Sequence, residues 1–176
     1  MTVHGYHGTK NQFDKFDFSE VGCHSGTTGA GCGLYFTTNK GEALTYGPIL
    51  YTVNLTLKSA ISNHDVTLKI PEVIKIIDYI AKNSVYNHFD NYDEFLTSKQ
   101  KFVIIQDMIK CSLSDTEVIE GIINSGCPVE VMLQTLTYFG YTHTEDKIEP
   151  DDASMPHYII YDLNAISIIK IENTKI

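Results

Sequence analysis

The sequence lacks the features that mark several common classes of protein. Its 13 lysine and arginine residues are outnumbered by 22 aspartate and glutamate residues, giving a formal net charge of −9. Because broad adhesion to nucleic acid or to anionic membrane needs clustered basic side chains, this balance argues against both. No stretch approaches the roughly 20 apolar residues of a membrane-spanning helix, and the N-terminal residues lack a signal-peptide pattern. We therefore expect a soluble protein of the cytoplasm, or one delivered to the cytoplasm of a target or host cell.

Familiar cofactor motifs are missing as well. The four cysteines include no Cys-x-x-Cys pair, and Cys23, His24 and Cys32 have the wrong spacing for the common structural zinc sites. We therefore predict free thiols and no metal. The glycine-rich run 29–33 does not open a helix and does not end in Gly-Lys-Ser/Thr, so it fits neither a dinucleotide fingerprint nor a Walker loop. We interpret it as part of a mobile loop that lets backbone approach a ligand or a strand.

Residue patterns predict strands at both ends of the chain. With 176 residues and 43% apolar content, the chain is long enough for one domain with a sizeable core and short for two. Alternating or continuous apolar character predicts strands at Thr2–His7, Leu34–Thr37 and Ile49–Leu57, and a terminal strand pair at His157–Asp162 and Ala165–Ile171.

The middle of the chain changes to helical spacing. A short helix is predicted over Asn39–Tyr46, with Asn39 as its N-cap and Glu42 in capping-box register. Four longer helices are predicted over Pro71–Lys82, Ser98–Cys111, Asp115–Asn124 (with Ser114 and Glu117 in capping-box register) and from Pro128 to Gly140. A polar, acidic loop is predicted over Thr142–Ser154. The class is therefore α+β, a single domain (1–176) whose β core comes from both chain ends, with a helical insertion at about 71–140.

Two segments near the N-terminus are candidates for a ligand site. His7 lies at a predicted strand end, where its ring can hydrogen-bond hydroxyl groups, and Gly8 lets the main chain come close to a ligand amide. Tyr35 and Tyr46 could form the walls of a slot for a planar ring. The alternatives are that His7 is a core histidine with satisfied hydrogen bonds and that both tyrosines are core aromatics.

At these residues the chain resembles the diphtheria-toxin and poly-ADP-ribose-polymerase class of ADP-ribosyltransferases, the His-Tyr-Glu class. The first motif is Tyr6-His7-Gly8-Thr9-Lys10, and the second is Gly33-Leu34-Tyr35-Phe36-Thr37-Thr38-Asn39-Lys40 followed by Ala43 and Tyr46. The third, His157-Tyr158-Ile159-Ile160-Tyr161-Asp162, is similar to the polymerases' closing strand, Glu-Tyr-Ile-Val-Tyr-Asp. The three motifs occur in the family's order and leave about 100 residues between the second and third without a counterpart.

The resemblance implies an ADP-ribosyltransferase-like split β core and a role for each matching residue. His7 would bind the adenosine ribose, within a His-Gly-Thr motif that includes Thr9, and the Gly8 backbone would bind the nicotinamide carboxamide. Tyr35 and Tyr46 would sandwich the nicotinamide ring, and Ala43 would stand beside the carboxamide. The loop 22–33 would cover the dinucleotide. The implied substrate is NAD, and no metal is required.

The third motif departs from the family, since His157 occupies the position of the catalytic glutamate. Loss of nicotinamide builds positive charge on the ribose, which a carboxylate hydrogen-bonded to the 2′-hydroxyl stabilises. A neutral histidine can accept that hydrogen bond but carries no negative charge, and a protonated one would oppose the cation. His7, Tyr35 and His157 are thus the expected catalytic set. Glu145 and Glu149, in an acidic run with Asp146, Asp151 and Asp152, are alternatives to His157 unless that run is a solvated loop.

These residues predict a mono-ADP-ribosyltransferase that cleaves the nicotinamide–ribose bond of NAD and transfers ADP-ribose to a macromolecule. Protein is the first choice of acceptor and nucleic acid the second, because the net charge disfavours unaided nucleic-acid binding. The alternatives are an NAD glycohydrolase and a catalytically inactive NAD-binding or interaction module. The abundance of Ile, Lys, Asn and Tyr suggests an AT-rich bacterial or phage genome, and hence a toxin, defence or counter-defence effector.

Overall fold

The structure, a computed structural model, describes residues 1–18, 33–83, 100–124, 127–146 and 157–174. Within these ranges the strands are β1 (Thr2–Thr9), β2 (Leu34–Thr37), β3 (Ile49–Thr56), β4 (Ser59–Ile61), β5 (Tyr141–Asp146), β6 (His157–Ile160) and β7 (Ile166–Asn173). The helices are α1 (Lys40–Ala43), α2 (Ile70–Asn83), α3 (Gln100–Cys111), α4 (Asp115–Asn124) and α5 (Val129–Tyr138). The α+β class is confirmed, and α2 to α5 form the predicted helical insertion.

The described strands form one seven-stranded mixed sheet in the order β4-β5-β6-β2-β1-β3-β7. Only the β4–β5 pair is parallel; each of the other neighbouring pairs is antiparallel. The late strands β5 and β6 lie between the early strands β4 and β2, and the last strand, β7, pairs with β3 and forms the edge opposite β4. A β core built from both ends of the chain is therefore confirmed.

The predicted pairing of the two terminal strands is wrong, since β2, β1 and β3 lie between β6 and β7. A 3₁₀ turn over Leu163–Ala165 joins them, and the Asp162 side chain caps it by accepting a hydrogen bond from the Asn164 N–H at 2.9 Å. Both segments are apolar, but that character does not specify a partner. It is satisfied in β6 by burial at the centre of the sheet and in β7 by one half-buried face at its edge.

The prediction of an acidic loop over Thr142–Ser154 is wrong for the first residues of that range, which belong to β5. Its polar side chains serve the neighbouring strands: the Thr142 hydroxyl accepts from the Lys58 N–H at 2.9 Å, and the Thr144 hydroxyl donates to the Ile61 carbonyl at 3.2 Å. The strand β4 that pairs with it was not predicted either. These threonines are buried although they are polar, because their hydroxyl groups are hydrogen-bonded. The hydropathy pattern therefore does not indicate a strand here.

Helices α2 to α5 pack against one face of the sheet. The residues of α2 that set its helical spacing, Val73, Ile76, Ile77 and Ile80, are all buried, and they share a core cluster with Ile159 of β6. A second cluster, which includes Phe36 of β2 and Tyr158 of β6, belongs to the other face. None of the helices in the described ranges is long and apolar enough to cross a membrane.

The helix-start signal of α4 is confirmed, and a buried carboxylate anchors the same turn. The Glu117 N–H donates to the Ser114 hydroxyl at 3.3 Å, and the Glu117 carboxylate accepts from the Leu113 N–H at 2.7 Å. The buried Asp115 carboxylate accepts from the backbone N–H groups of Thr67 and Leu68 at 2.7 and 2.8 Å. These bonds hold the segment between β4 and α2 against the start of α4, which fixes the insertion relative to the sheet.

Candidate functional site

The first two sequence motifs meet where β1 and β2 diverge. β1 pairs with β3 along its whole length, from Thr2↔Thr56 to Thr9↔Ile49, whereas its described register with β2 is the single pair Tyr6↔Thr37. α1 follows β2 directly and contacts both strands at this opening. The end of β1, which carries the His-Gly-Thr motif, therefore pairs with β3 on one side and contacts α1 as well as β2.

Gly8 packs directly on the backbone of α1. A Cβ atom at Gly8 would lie 1.7 Å from the Ala43 carbonyl oxygen, closer than any real contact, so only glycine fits here. The same carbonyl accepts a hydrogen bond from the Tyr46 N–H at 3.1 Å. The structure thus brings together Gly8, Ala43 and the backbone of Tyr46, three of the residues predicted to bind NAD. The Tyr46 side chain itself is 64% exposed.

His7 bridges the gap between β1 and β2 with its ring. Its Nδ1 lies 2.8 Å from the Tyr35 carbonyl oxygen. Because a carbonyl can only accept, Nδ1 carries the proton, and in the neutral ring Nε2 is left as a hydrogen-bond acceptor. Aromatic rings surround the imidazole at centroid distances of 5.3 to 6.3 Å, those of Phe13, Phe16, Phe36 and Tyr51. His7 therefore has both a core-packing role and an acceptor atom of the kind that a ribose hydroxyl needs.

Burial lowers the pKa of His7, and the hydrogen bond to the Tyr35 carbonyl opposes that shift. Below the unfolded-state pKa of about 6.5, the unfolded chain then binds a proton that the folded chain does not. We expect the contribution of His7 to stability to be complete above that pH and to be lost as the pH falls through the lower folded-state pKa. Urea unfolding at pH 7.5 and at acidic pH should show a smaller loss of unfolding free energy in His7→Phe than in the natural protein. An equal loss in both would contradict the burial of a neutral imidazole.

A second group of polar side chains lies across the β2–β6 ladder. Thr37 is directly opposite His157 in this register. Glu42 of α1 joins the two: its Oε1 lies 2.5 Å from His157 Nε2, and its Oε2 accepts from the Thr37 hydroxyl at 2.7 Å. The side chains of His157 and Glu42 are 18% and 25% exposed, so the group is held on both sides and still open to solvent.

Glu42 is the site residue that the sequence reasoning missed, because it was assigned to a capping box. Asn39 does cap α1, accepting from the N–H groups of Gly41 and Glu42 at 2.9 and 3.2 Å. The reciprocal half of the box is absent from the described structure: the Asn39 N–H donates to the Thr37 hydroxyl instead, at 3.0 Å. The sequence feature that could have indicated a site role for Glu42 is its position, directly before Ala43 of the second motif.

The two groups use different faces of the sheet. His7 packs with Phe36 and the aromatic cluster, whereas Tyr35 lies one residue away in β2 and packs against the helical core cluster. Tyr35 and Thr37 alternate with Phe36, as strand geometry requires. His7 reaches Tyr35 through its main-chain carbonyl, not its side chain. The sandwich of a nicotinamide ring between Tyr35 and Tyr46 stays a prediction.

Several predicted site residues lie outside the described ranges. These are most of the glycine-rich loop, with Cys23, His24 and Cys32, and the acidic residues Glu149, Asp151 and Asp152. The backbones of Glu145 and Asp146 are described, opposite Tyr158 and His157 in the β5–β6 ladder. Within the described part of the chain, no group of three or more His, Cys, Asp or Glu side chains is arranged to hold a metal ion. The prediction that no metal is used remains a prediction.

No protein-family model and no curated protein matches the chain. A solved structure, the crystal structure of an anti-CRISPR protein, is similar over 96% of this chain and 94% of that one. The two are 16% identical in sequence and superpose with a TM-score of 0.43.

Proposed function

We propose that the protein is a mono-ADP-ribosyltransferase that cleaves the nicotinamide–ribose bond of NAD and transfers ADP-ribose to a macromolecular acceptor. One observation carries the proposal: the three motif segments, separated by up to 150 residues in sequence, are neighbours in the structure, because β2 lies between β6 and β1 and α1 follows β2. His7 bonds to Tyr35, Gly8 packs on Ala43, and His157 lies opposite Thr37 beside Glu42. An NAD site built from these three motifs requires this adjacency.

Each contact supports a role in binding NAD. Nε2 of His7 is unprotonated in the neutral ring and can accept from a ribose hydroxyl, because the Tyr35 carbonyl fixes the proton on Nδ1. Gly8 and Thr9 lie at the end of β1, where the described register with β2 is a single pair, and their main-chain groups are the ones that the resemblance assigns to NAD binding. The exposed ring of Tyr46 can stack on a planar pyridine ring.

Binding and orientation supply most of the catalysis in such a reaction. The glycosidic bond is broken with charge building on the ribose, so holding NAD in the reactive conformation contributes more than covalent catalysis. We infer a protein side chain as the acceptor, since the net charge of −9 disfavours unaided binding of nucleic acid. The inferred setting, a bacterial or phage effector, rests on composition.

The proposal is tested by incubating the protein with NAD labelled in its adenylate part and a cell lysate, with and without nuclease. We expect label on a macromolecule that resists nuclease, together with free nicotinamide. Label that nuclease removes would identify nucleic acid as the acceptor. Free nicotinamide with no labelled macromolecule would identify a glycohydrolase, and intact NAD would contradict the proposal.

A further inference from the structure

We propose that Glu42 of α1 supplies the carboxylate of the transfer reaction and that His157 positions it, an inference that rests on the proposed function. The first residue of β6, where the resemblance leads one to expect a glutamate, is His157. Glu42 Oε1 lies 2.5 Å from its Nε2, so a carboxylate stands one hydrogen bond from that position. In this proposal the acid, Glu42, lies on α1 instead of β6, and β6 contributes His157 as its hydrogen-bond partner.

Glu42 is held as a preorganised carboxylate should be. Oε1 is bound by His157 of β6 and Oε2 by Thr37 of β2, so two neighbouring strands fix one side chain. The Thr37 hydroxyl is itself fixed, because it accepts from the Asn39 N–H while donating to Glu42. A charged group that is already oriented needs no reorganisation during the reaction, which is the condition for effective electrostatic stabilisation.

Glu42 also keeps capacity for a ligand. Each carboxylate oxygen can accept two hydrogen bonds, and each has one protein partner among the described residues. The side chain is 25% exposed, so a substrate hydroxyl can reach it. Its neighbour in sequence, Ala43, touches Gly8. The four-residue helix therefore joins the nicotinamide end of the proposed NAD site to the carboxylate.

Glu42 is the one acidic residue that the chemical step uses. The bond between ribose C1′ and the nicotinamide ring nitrogen breaks, and its electron pair leaves with neutral nicotinamide. The Glu42 carboxylate stabilises the positive charge that develops on the ribose through the 2′-hydroxyl. The acceptor atom then forms its bond to C1′ and loses a proton, which Glu42 accepts. His157 touches only Glu42 in this scheme and is a positioning residue.

The test measures NAD binding by titration calorimetry and nicotinamide release by chromatography, in the presence of lysate. For Glu42→Gln we expect a Kd for NAD within about threefold of the natural protein and nicotinamide release lowered by about 100-fold or more. Glu42→Asp keeps the carboxylate and should recover part of the rate. Glu130→Gln is the matched control, an exposed helical glutamate that should leave both quantities unchanged.

His157 separates positioning from packing. His157→Ala should slow nicotinamide release by about tenfold, the loss of one orienting hydrogen bond, and His157→Gln should restore most of the rate because its amide can donate to Glu42. Failure of glutamine to rescue the rate would overturn the positioning role.

Two results would overturn the role of Glu42. One is a Glu42→Gln variant, folded by circular dichroism, that releases nicotinamide at the natural rate. The other is loss of release in Glu145→Gln or Glu149→Gln with Glu42→Gln still active, which would return the acid to the segment before β6. If the natural protein neither binds nor cleaves NAD, the proposed function itself fails and the inference fails with it.

Discussion

Replacing Gly8 by alanine is expected to lower the free energy of unfolding by about 3 kcal/mol and to abolish transfer. The added Cβ would lie 1.7 Å from the Ala43 carbonyl oxygen, and that neighbour is backbone rather than the end of a flexible side chain. α1 must therefore move away from β1. Because α1 carries Glu42 and Ala43, a shift of about 1 Å there misaligns the proposed site by enough to lower the rate roughly 100-fold.

Gly41→Ala is the matched control for this substitution. Gly41 belongs to the same helix, and the nearest atom to its added Cβ would be a side-chain atom of Asn39 at 3.3 Å rather than backbone at 1.7 Å. Alanine also has a higher helix propensity than glycine, by about 1 kcal/mol, so stability should be unchanged or raised. Urea unfolding and nicotinamide release are measured on both variants. A Gly8→Ala protein as stable and active as Gly41→Ala would refute the close contact between β1 and α1.

Removing the His7 ring is the second change with a large expected effect. His7→Ala should abolish detectable transfer, because it removes the Nε2 acceptor and opens a cavity among the surrounding aromatic rings. His7→Phe fills that volume and removes only the hydrogen bonds. We expect it to fold and still to transfer at about a hundredth of the natural rate, since NAD loses a contact that orients it.

The comparison of the two His7 variants distinguishes packing from chemistry. The Kd for NAD, measured by calorimetry, should rise about tenfold in His7→Phe, the free energy of one lost hydrogen bond. A His7→Phe protein that binds NAD and transfers ADP-ribose normally would show that His7 is a core histidine only, and the site assignment would be wrong.

The helical part of the fold was predictable from the sequence because its signals are local. Apolar spacing located α2, and the Ser114 and Glu117 pair located the start of α4. The strand partners were not predictable in the same way. β5 is a polar segment whose threonines are hydrogen-bonded to neighbouring segments of the chain. β6 pairs with β2 and not with β7, and β2 is more than 100 residues away in sequence.

The residues of the candidate site also differ in how far they could be predicted from the sequence. A close approach at Gly8 was predictable from the residue type, although the group that approaches it is the Ala43 carbonyl of α1, and Ala43 itself was identified only through the resemblance. The role of Glu42 was not, since its partners Thr37 and His157 come together only when β2 pairs with β6. A carboxylate whose spacing indicates a helix cap contacts Thr37 and His157 in three dimensions.

Nicotinamide release from NAD in the presence of lysate is the measurement that bears most directly on the proposed transferase. The natural protein should release nicotinamide in amounts equal to the ADP-ribose that becomes attached to the acceptor, and His7→Phe and Glu42→Gln should release about a hundredth as much. NAD that remains intact with the folded natural protein, or equal release by all three proteins, would contradict the account.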